Sequence, residues 1–440
     1  MRFLQTLKNI WKIEELRYKI LLTLGLLTIY RIGSFIVLPG VNSEVLESAS
    51  SDGGNALANL LSLFTGGAFK RASIFALGIM PYISASIIMQ LMGIAVPTVA
   101  KMQKEGDSGR KKITQYTRFL TVVICLFQAP GYIAASIEPA ARLSDSSLWW
   151  TSSVIILTTG TLFVMWLGEK ITDKGLGNGT SIIIMIGILA RLPQAIGQEF
   201  TSRFTNNNAG GVLVIMLEFA FLVAVIMGLI MLVQGTRKVP VNYAKQMVGG
   251  GDLNGARNFL PLKVNASGVM PIIFAQAILF FIGFAVGLGN SAKYPWISDH
   301  KDFGHMLIYI IAVIAFTFLY TALIFNPKQM ADELKRNNGF IPGVKPGQDT
   351  ADYIGTIMDR ITLPGAVLLA FVGILPGLVE RLTGMQTGFA TFFGGTSLLI
   401  MVGVILDTLQ QIETQLLMRQ YDGLMSSGRV QGRQSVETGI

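Results

Sequence analysis

The chain has 440 residues, of which 51% are apolar and only 14% are charged, and its mean hydropathy is +0.54. A soluble globular domain carries about a quarter charged residues, so this composition excludes an ordinary soluble protein. The single cysteine, Cys125, excludes a disulfide framework and a cysteine metal site. Two histidines, His300 and His305, are too few for a usual metal centre. We therefore expect neither a metal nor another cofactor.

The first residues, 1–19, predict a basic amphipathic helix on the cytoplasmic membrane surface rather than a signal peptide. Apolar side chains recur there at helical spacing among Arg and Lys residues. The apolar positions are Phe3, Leu7, Ile10 and Trp11.

Ten apolar segments follow, most of them long enough to cross about 30 Å of hydrocarbon. The segment Ile182–Ile196 is short, and Ile361–Leu378 is interrupted by Pro364 and Pro376. The ten segments are Ile20–Leu38, Ile74–Val96, Phe119–Ile137, Trp149–Leu167, Ile182–Ile196, Val212–Val233, Val269–Leu288, Met306–Phe325, Ile361–Leu378 and Thr396–Leu417.

The distribution of positive charge predicts the orientation. With the N-terminus inside, 26 of the 35 Lys and Arg residues fall on the cytoplasmic side, as the positive-inside rule requires. Both termini are then cytoplasmic, including the tail 419–440. Ten spans divide into five-span halves of opposite orientation, 20–198 and 212–418, which is compatible with an inverted repeat.

Three connections stand out by length or composition. The cytoplasmic loops 234–268 and 326–360 are long and basic, and they are either plain linkers or platforms for a soluble partner. On the outer side, 57–69 predicts a helix too short to span. Such a re-entrant helix is tolerated only where protein buries it or where it lines a cavity.

Catalytic signatures are missing from the sequence. No phosphate-binding loop, HExxH or GxSxG motif occurs, so we expect no enzyme. The main ionisable candidates within the spans are Arg31, Glu218, Glu380 and Asp407. This pattern favours a channel or scaffold over a secondary transporter of small solutes, and a transporter over an intramembrane enzyme.

Specific stretches go further and resemble the SecY family. They occur in family order from the start of the second span to the tenth. The stretches are GGAFKRASIFALGIMPYISASIIMQL (Gly66–Leu91), EGDSGRKKITQYTR (Glu105–Arg118), GTLFVMWLGEKITDKGLGNGTSIII (Gly160–Ile184), VNYAK (Val241–Lys245), LPLKVNASGVMPIIFA (Leu260–Ala275), LYTALIFNP (Leu319–Pro327), GFIPGVKPG (Gly339–Gly347) and FGGTSLLI (Phe393–Ile400).

The resemblance implies an all-α membrane protein with ten transmembrane helices in two inverted five-helix halves around a central hourglass pore. It also implies a passive channel in the bacterial plasma (inner) membrane that passes unfolded secretory polypeptides and releases apolar segments laterally into lipid. The implied partners are the SecE and SecG subunits, the SecA motor ATPase, the ribosome, polypeptides with signal sequences, and membrane lipids. No nucleic-acid function beyond ribosome contact is implied.

The same resemblance assigns site residues inside the membrane. An aliphatic ring at the pore constriction comprises Ile79, Ile83, Ile184, Ile273 and Ile400. The segment 57–69 matches the plug, with Leu57, Leu60, Leu61, Phe64 and Phe69 as its apolar residues. Polar positions on the lateral gate are Gln90, Gln128 and Asn265.

Basic residues of the two long loops match the family's partner-docking surface. Lys345 stands where the family usually has Arg, so it keeps the charge without the planar guanidinium fork. The docking positions are Arg237, Lys238, Lys245, Arg257, Lys335, Arg336 and Lys345.

Overall fold

The computed structural model describes residues 13–42, 65–137, 139–143, 146–205, 211–243, 258–275, 303–385, 387–393 and 395–426. Seven helices in these ranges are long and apolar enough to cross a membrane, and one strongly bent helix pair would make an eighth. The chain is thus a helical membrane protein, as predicted. The count of ten is consistent with this fold and stays a prediction, since most of the segment Val269–Leu288 lies outside the described ranges.

The chain divides into two compact units. Unit 1 comprises residues 1–191 and 403–440, and unit 2 comprises residues 192–402. The halves predicted from the sequence, 20–198 and 212–418, place the last segment in the second half, whereas its residues from 403 onward pack with unit 1.

The described residues of unit 1 form six α-helices before the division at Arg191. They are α1 Glu14–Gly33, α2 Met80–Ala95, α3 Pro97–Lys104, α4 Asp107–Ser136, α5 Ser147–Lys174 and α6 Gly179–Leu189. Residues 14–19 are the first residues of α1 itself, and residues 1–12 of the predicted amphipathic helix lie outside the described ranges.

Unit 2 contains further helices and a small sheet. They are α7 Leu192–Thr205, α8 Gly211–Gln234, β1 Thr236–Tyr243, β2 Asn258–Lys263, α9 Phe303–Ile324, α10 Pro327–Arg336, β3 Gly339–Phe340, α11 Gln348–Thr383 and α12 Thr387–Ala390. The last helix, α13 Gly395–Ser426, begins in unit 2 and continues into unit 1.

The second predicted span begins as a helix only at Met80, not at Ile74. Gly78 has a φ of +54°, a left-handed backbone conformation that glycine adopts at little cost. Pro81 lies in the first turn of α2, where its missing N–H costs no hydrogen bond. Residues 65–79 are turns that precede the helix, and we call them the outer segment.

The outer segment packs closely on its neighbours in unit 1. The Leu38 amide donates to the Ala72 carbonyl, and the Ile74 amide donates to the Ile36 carbonyl, both at 2.9 Å. A Cβ on Gly160 would lie 2.1 Å from the Ile74 carbonyl oxygen. Only glycine in α5 therefore allows this approach.

Candidate functional site

The described residues of the two long loops that the sequence predicts on the cytoplasmic side fold together into one platform in unit 2. The sheet has the order β2–β1–β3, and Asn242 of β1 lies opposite Phe340 of β3. This pairing joins the loop 234–268 to the loop 326–360. We call the platform made of β1, β2 and residues 327–361, which include α10, β3 and the start of α11, the loop module.

The loop module has an apolar core of its own. Buried and exposed residues alternate along β1: Lys238 and Pro240 are exposed, whereas Val239 and Val241 are buried. This is the alternation of a strand with one buried face. The core residues are Val239, Val241, Leu262, Leu334, Ile341, Ile354 and Met358. Burying each such side chain contributes about 1.5–3 kcal/mol, so this platform is a folded structure rather than a linker.

The turn before α11 fixes the backbone at Lys345. Gly343 and Gly347 have φ angles of +86° and +114°, which favour glycine. The Thr350 hydroxyl donates a hydrogen bond of 2.8 Å to the Lys345 carbonyl. The Lys345 side chain is left exposed.

The described docking positions all lie on the surface of the loop module. Lys335 and Arg336 form the last turn of α10, where cations complement the negative end of the helix dipole. Lys245 and Arg257 lie outside the described residues. The exposed positions are Arg237, Lys238, Lys335, Arg336 and Lys345.

The predicted pore-ring residues are divided between the units. In unit 1, Ile79 precedes α2 and Ile184 lies in α6, and both are buried, while Ile83 in the first turns of α2 is partly exposed. Ile79 packs beside α5, since a Cβ on Gly168 would lie at an ordinary contact distance of 3.4 Å from Ile79 Cδ1.

Two further ring positions belong to unit 2. Ile273 lies in the helical residues 270–275 and is partly buried. Ile400 is buried in α13. The ring itself stays a prediction.

Phe69 is the one plug position within the described residues. Its ring meets the Tyr132 ring edge-on at a centroid distance of 4.7 Å. The Tyr132 hydroxyl donates a 2.6 Å hydrogen bond to the Phe69 carbonyl. Phe69 thus anchors the outer segment in the core of unit 1. Leu57, Leu60, Leu61 and Phe64 lie outside the described residues.

Cations gather around Gly66 beside this anchor. Arg31 Nη1 and Arg71 Nη2 donate to the Gly66 carbonyl at 3.4 and 3.1 Å, and both guanidinium groups lie over the Phe35 ring. Burial lowers the pKa of Lys70, and its neighbour Arg191 lowers that pKa further. Polar and cation–π contacts therefore add to the apolar packing of the outer segment in the core of unit 1, and hydropathy does not reveal them.

The gate positions lie on three different elements. Gln90 of α2 and Gln128 of α4 are exposed in unit 1. Asn265 follows β2 in unit 2, and its side-chain oxygen accepts a 3.4 Å hydrogen bond from the Ser267 hydroxyl. Their role as a gate stays a prediction.

Comparisons with known proteins agree with the sequence motifs. The SecY family model matches residues 73–409. A Halalkalibacterium halodurans protein described as "Protein translocase subunit SecY" is 42% identical over 435 residues, covering 96% of this chain and 99% of its own. The Escherichia coli K12 protein of the same description is 41% identical over 430 residues, covering 95% and 96%.

Solved structures share the fold at low sequence identity. One described as "The structure of a protein conducting channel" has a TM-score of 0.64 at 18% identity, covering 90% of this chain and 92% of that one. "Sec61 in the Canine ribosome-channel complex from the endoplasmic reticulum" has a TM-score of 0.61 at 16% identity, with the same coverage. The family match and the relatives at about 40% identity together establish that the chain belongs to the SecY family.

Proposed function

We propose that this chain is the protein-conducting subunit of a bacterial translocase, which passes unfolded secretory polypeptides and releases apolar segments into lipid. The observation that carries the proposal is the full-length similarity to SecY proteins, joined to a helical fold shared with protein-conducting channels. A small-solute transporter finds no support in these similarities. The chain works without catalysis of its own, so the driving energy comes from partners or from the membrane potential, about 2.3 kcal/mol per charge per 100 mV.

The protein lies in the plasma membrane with both termini in the cytoplasm. The bias of 26 of 35 cationic residues toward one side supports this orientation. SecE and SecG are the proposed membrane partners, and SecA and the ribosome are the proposed cytoplasmic ones. The exposed cations of the loop module suit a partner with acidic protein or phosphate surfaces.

The ring of Ile79, Ile83, Ile184, Ile273 and Ile400 forms the proposed seal. Short aliphatic side chains at a constriction resist wetting and so block ions, while they deform around a passing polypeptide. The plug 57–69 completes the seal from the outer side. Phe69 supports this role, because its anchoring to Tyr132 fixes the end of the plug to unit 1.

Ion conductance of resting channels tests the seal. We expect Ile83→Ser, in proteoliposomes with the complete translocase and no substrate, to raise conductance at least several-fold. Ile155→Ser is the matched control, since Ile155 of α5 is 63% exposed and lies outside the proposed ring. Wild-type conductance in Ile83→Ser, with normal expression, would remove this residue from the seal.

Charge reversal on the loop module tests the docking surface. We expect Lys335→Glu with Arg336→Glu to weaken SecA binding to the reconstituted complex at least tenfold. The control is Lys112→Glu in another cytoplasmic connection, where Lys112 Nζ lies 3.8 Å from Glu105. Equal binding by both variants would contradict docking on the module.

The gate proposal rests on the resemblance of Gln90, Gln128 and Asn265 to family positions. A disulfide between cysteines at 90 and 265 should block export, and reduction should restore it. Export that continues with the disulfide formed would rule out a gate at these positions.

A further inference from the structure

A buried group of three charged side chains joins three helices of unit 2. Arg203 of α7 donates from Nε to Glu199 and from Nη2 to Glu218 of α8, both at 2.7 Å. The same Nη2 donates to the Thr383 carbonyl of α11 at 3.1 Å. The side chains of Arg203, Glu199 and Glu218 are 10%, 3% and 1% exposed. We call these three residues the charge cluster.

The charge cluster carries two carboxyl groups against one guanidinium. Arg203 and Glu199 are the charged groups that act on Glu218. With both carboxyl groups ionised, the cluster would hold a net negative charge in a largely buried site. Burying such a charge without compensation is strongly unfavourable.

One of the two carboxyl oxygens of Glu218 lacks a hydrogen bond among the described residues. Its Oε1 accepts from Arg203, but its buried Oε2 has no hydrogen-bond partner among the described residues. Next to Glu218 along α8, Phe219 contacts Phe389 and Phe221 stacks on Phe393. In an ionised carboxylate, the buried Oε2 would lose its hydration without a hydrogen bond in return.

We propose that the charge cluster is a proton-binding site, with one proton held on Oε2 of Glu218 in the folded protein. The proton makes the cluster neutral: Glu199 is negative, Arg203 positive and Glu218 uncharged. Glu218 remains an acceptor for Arg203 through Oε1, so the link between α7, α8 and α11 is kept. By the predicted topology the site lies near the outer membrane surface, so the exterior pH sets its occupancy.

Infrared difference spectroscopy of the complete translocase tests the site directly. We expect the wild-type complex to show the carbonyl band of a neutral carboxyl group that disappears as the buffer is made alkaline and shifts in D₂O. Glu218→Gln should lose this band. Glu199→Gln leaves Glu218 as the one carboxyl group of the cluster beside Arg203, so its band should disappear at a lower pH than in the wild type.

Two results would overturn the proposal. One is the absence of such a titrating band from the wild-type complex. This result does not depend on whether any variant folds. The other is a band that persists in Glu218→Gln but vanishes in Glu199→Gln, since this would place the proton on the wrong carboxyl group.

Thermal unfolding of the same complexes gives a second readout. A carboxyl group that is neutral when folded and ionised when unfolded makes stability fall as pH rises. The wild-type unfolding temperature should therefore decline between about pH 5 and about pH 8 more steeply than that of Glu218→Gln. Parallel declines in the two proteins would also contradict a proton on Glu218.

Discussion

The loop module of unit 2 and the outer segment of unit 1 both connect membrane spans and both bury apolar side chains, but in different cores. The module encloses an apolar core of its own that includes Ile354 and Met358. The outer segment instead contributes side chains such as Phe69 and Leu77 to the core of unit 1, and the Tyr132 hydroxyl and two guanidinium groups donate hydrogen bonds to its carbonyls. A connection with its own core is a stable platform, whereas the outer segment depends on unit 1 for its burial and on hydrogen bonds that contribute about 0.5–1.5 kcal/mol net each.

The largest effect is expected from opening the module's core. Ile354→Ala removes a fully buried side chain, and such truncations cost about 2–5 kcal/mol. We expect hydrogen exchange of the β1 and β2 amides to accelerate more than tenfold and SecA binding to weaken. Tyr353→Ala, on the neighbouring exposed position, is the control. Unchanged exchange in Ile354→Ala would mean that the module does not depend on its core.

A smaller effect is expected where the outer segment meets α5. Gly160→Ala would place a methyl group against the Ile74 carbonyl, and overpacking of this kind costs about 1–3 kcal/mol. Hydrogen exchange should rise in residues 65–79 and stay unchanged in the loop module. Gly131→Ala is the control, because no atom lies within 4 Å of its added Cβ. Similar exchange in both variants would show that the approach of α5 is not tight.

The smallest effect is expected from a single hydroxyl. Tyr132→Phe keeps the ring contact with Phe69 but removes the hydrogen bond to the Phe69 carbonyl, a loss of about 0.5–1.5 kcal/mol. Limited proteolysis of the outer segment in reconstituted channels should speed up, with Tyr18→Phe on the exposed surface as control. If Tyr132→Phe were cut no faster than wild type, the anchor would rest on ring packing alone.

The sequence predicts continuous apolar helices best. The predicted segment Val212–Val233 agrees with α8, Gly211–Gln234, and Met306–Phe325 agrees with α9, Phe303–Ile324. Uninterrupted apolar runs leave the backbone no alternative to internal hydrogen bonds in lipid. The start of α2 was placed too early because the left-handed backbone at Gly78 does not change hydropathy.

The sheet could not be predicted in the same way. Thr236–Tyr243 is short, contains Pro240 and carries two cations, so it reads as a loop. Its pairing with Phe340 depends on tertiary contacts between distant segments. Motifs did predict that both loops belong to one docking surface, and the structure places their described cations on one module. For the charge cluster, the sequence identifies Glu218 as an ionisable residue within a predicted span. It does not identify the partner Arg203, because Arg203 lies beyond the predicted fifth segment.

The helix α11 is one continuous rod whose first residues belong to the loop module and whose later residues form a membrane span. Its 36 residues extend about 54 Å at 1.5 Å per residue, well beyond the roughly 30 Å of hydrocarbon. Ile354 and Met358 attach the module to the N-terminal part of this helix, while Pro364 and Pro376 lie farther along it. A partner that pushes on the module therefore applies torque to the span itself, and the two prolines are where that torque can bend it.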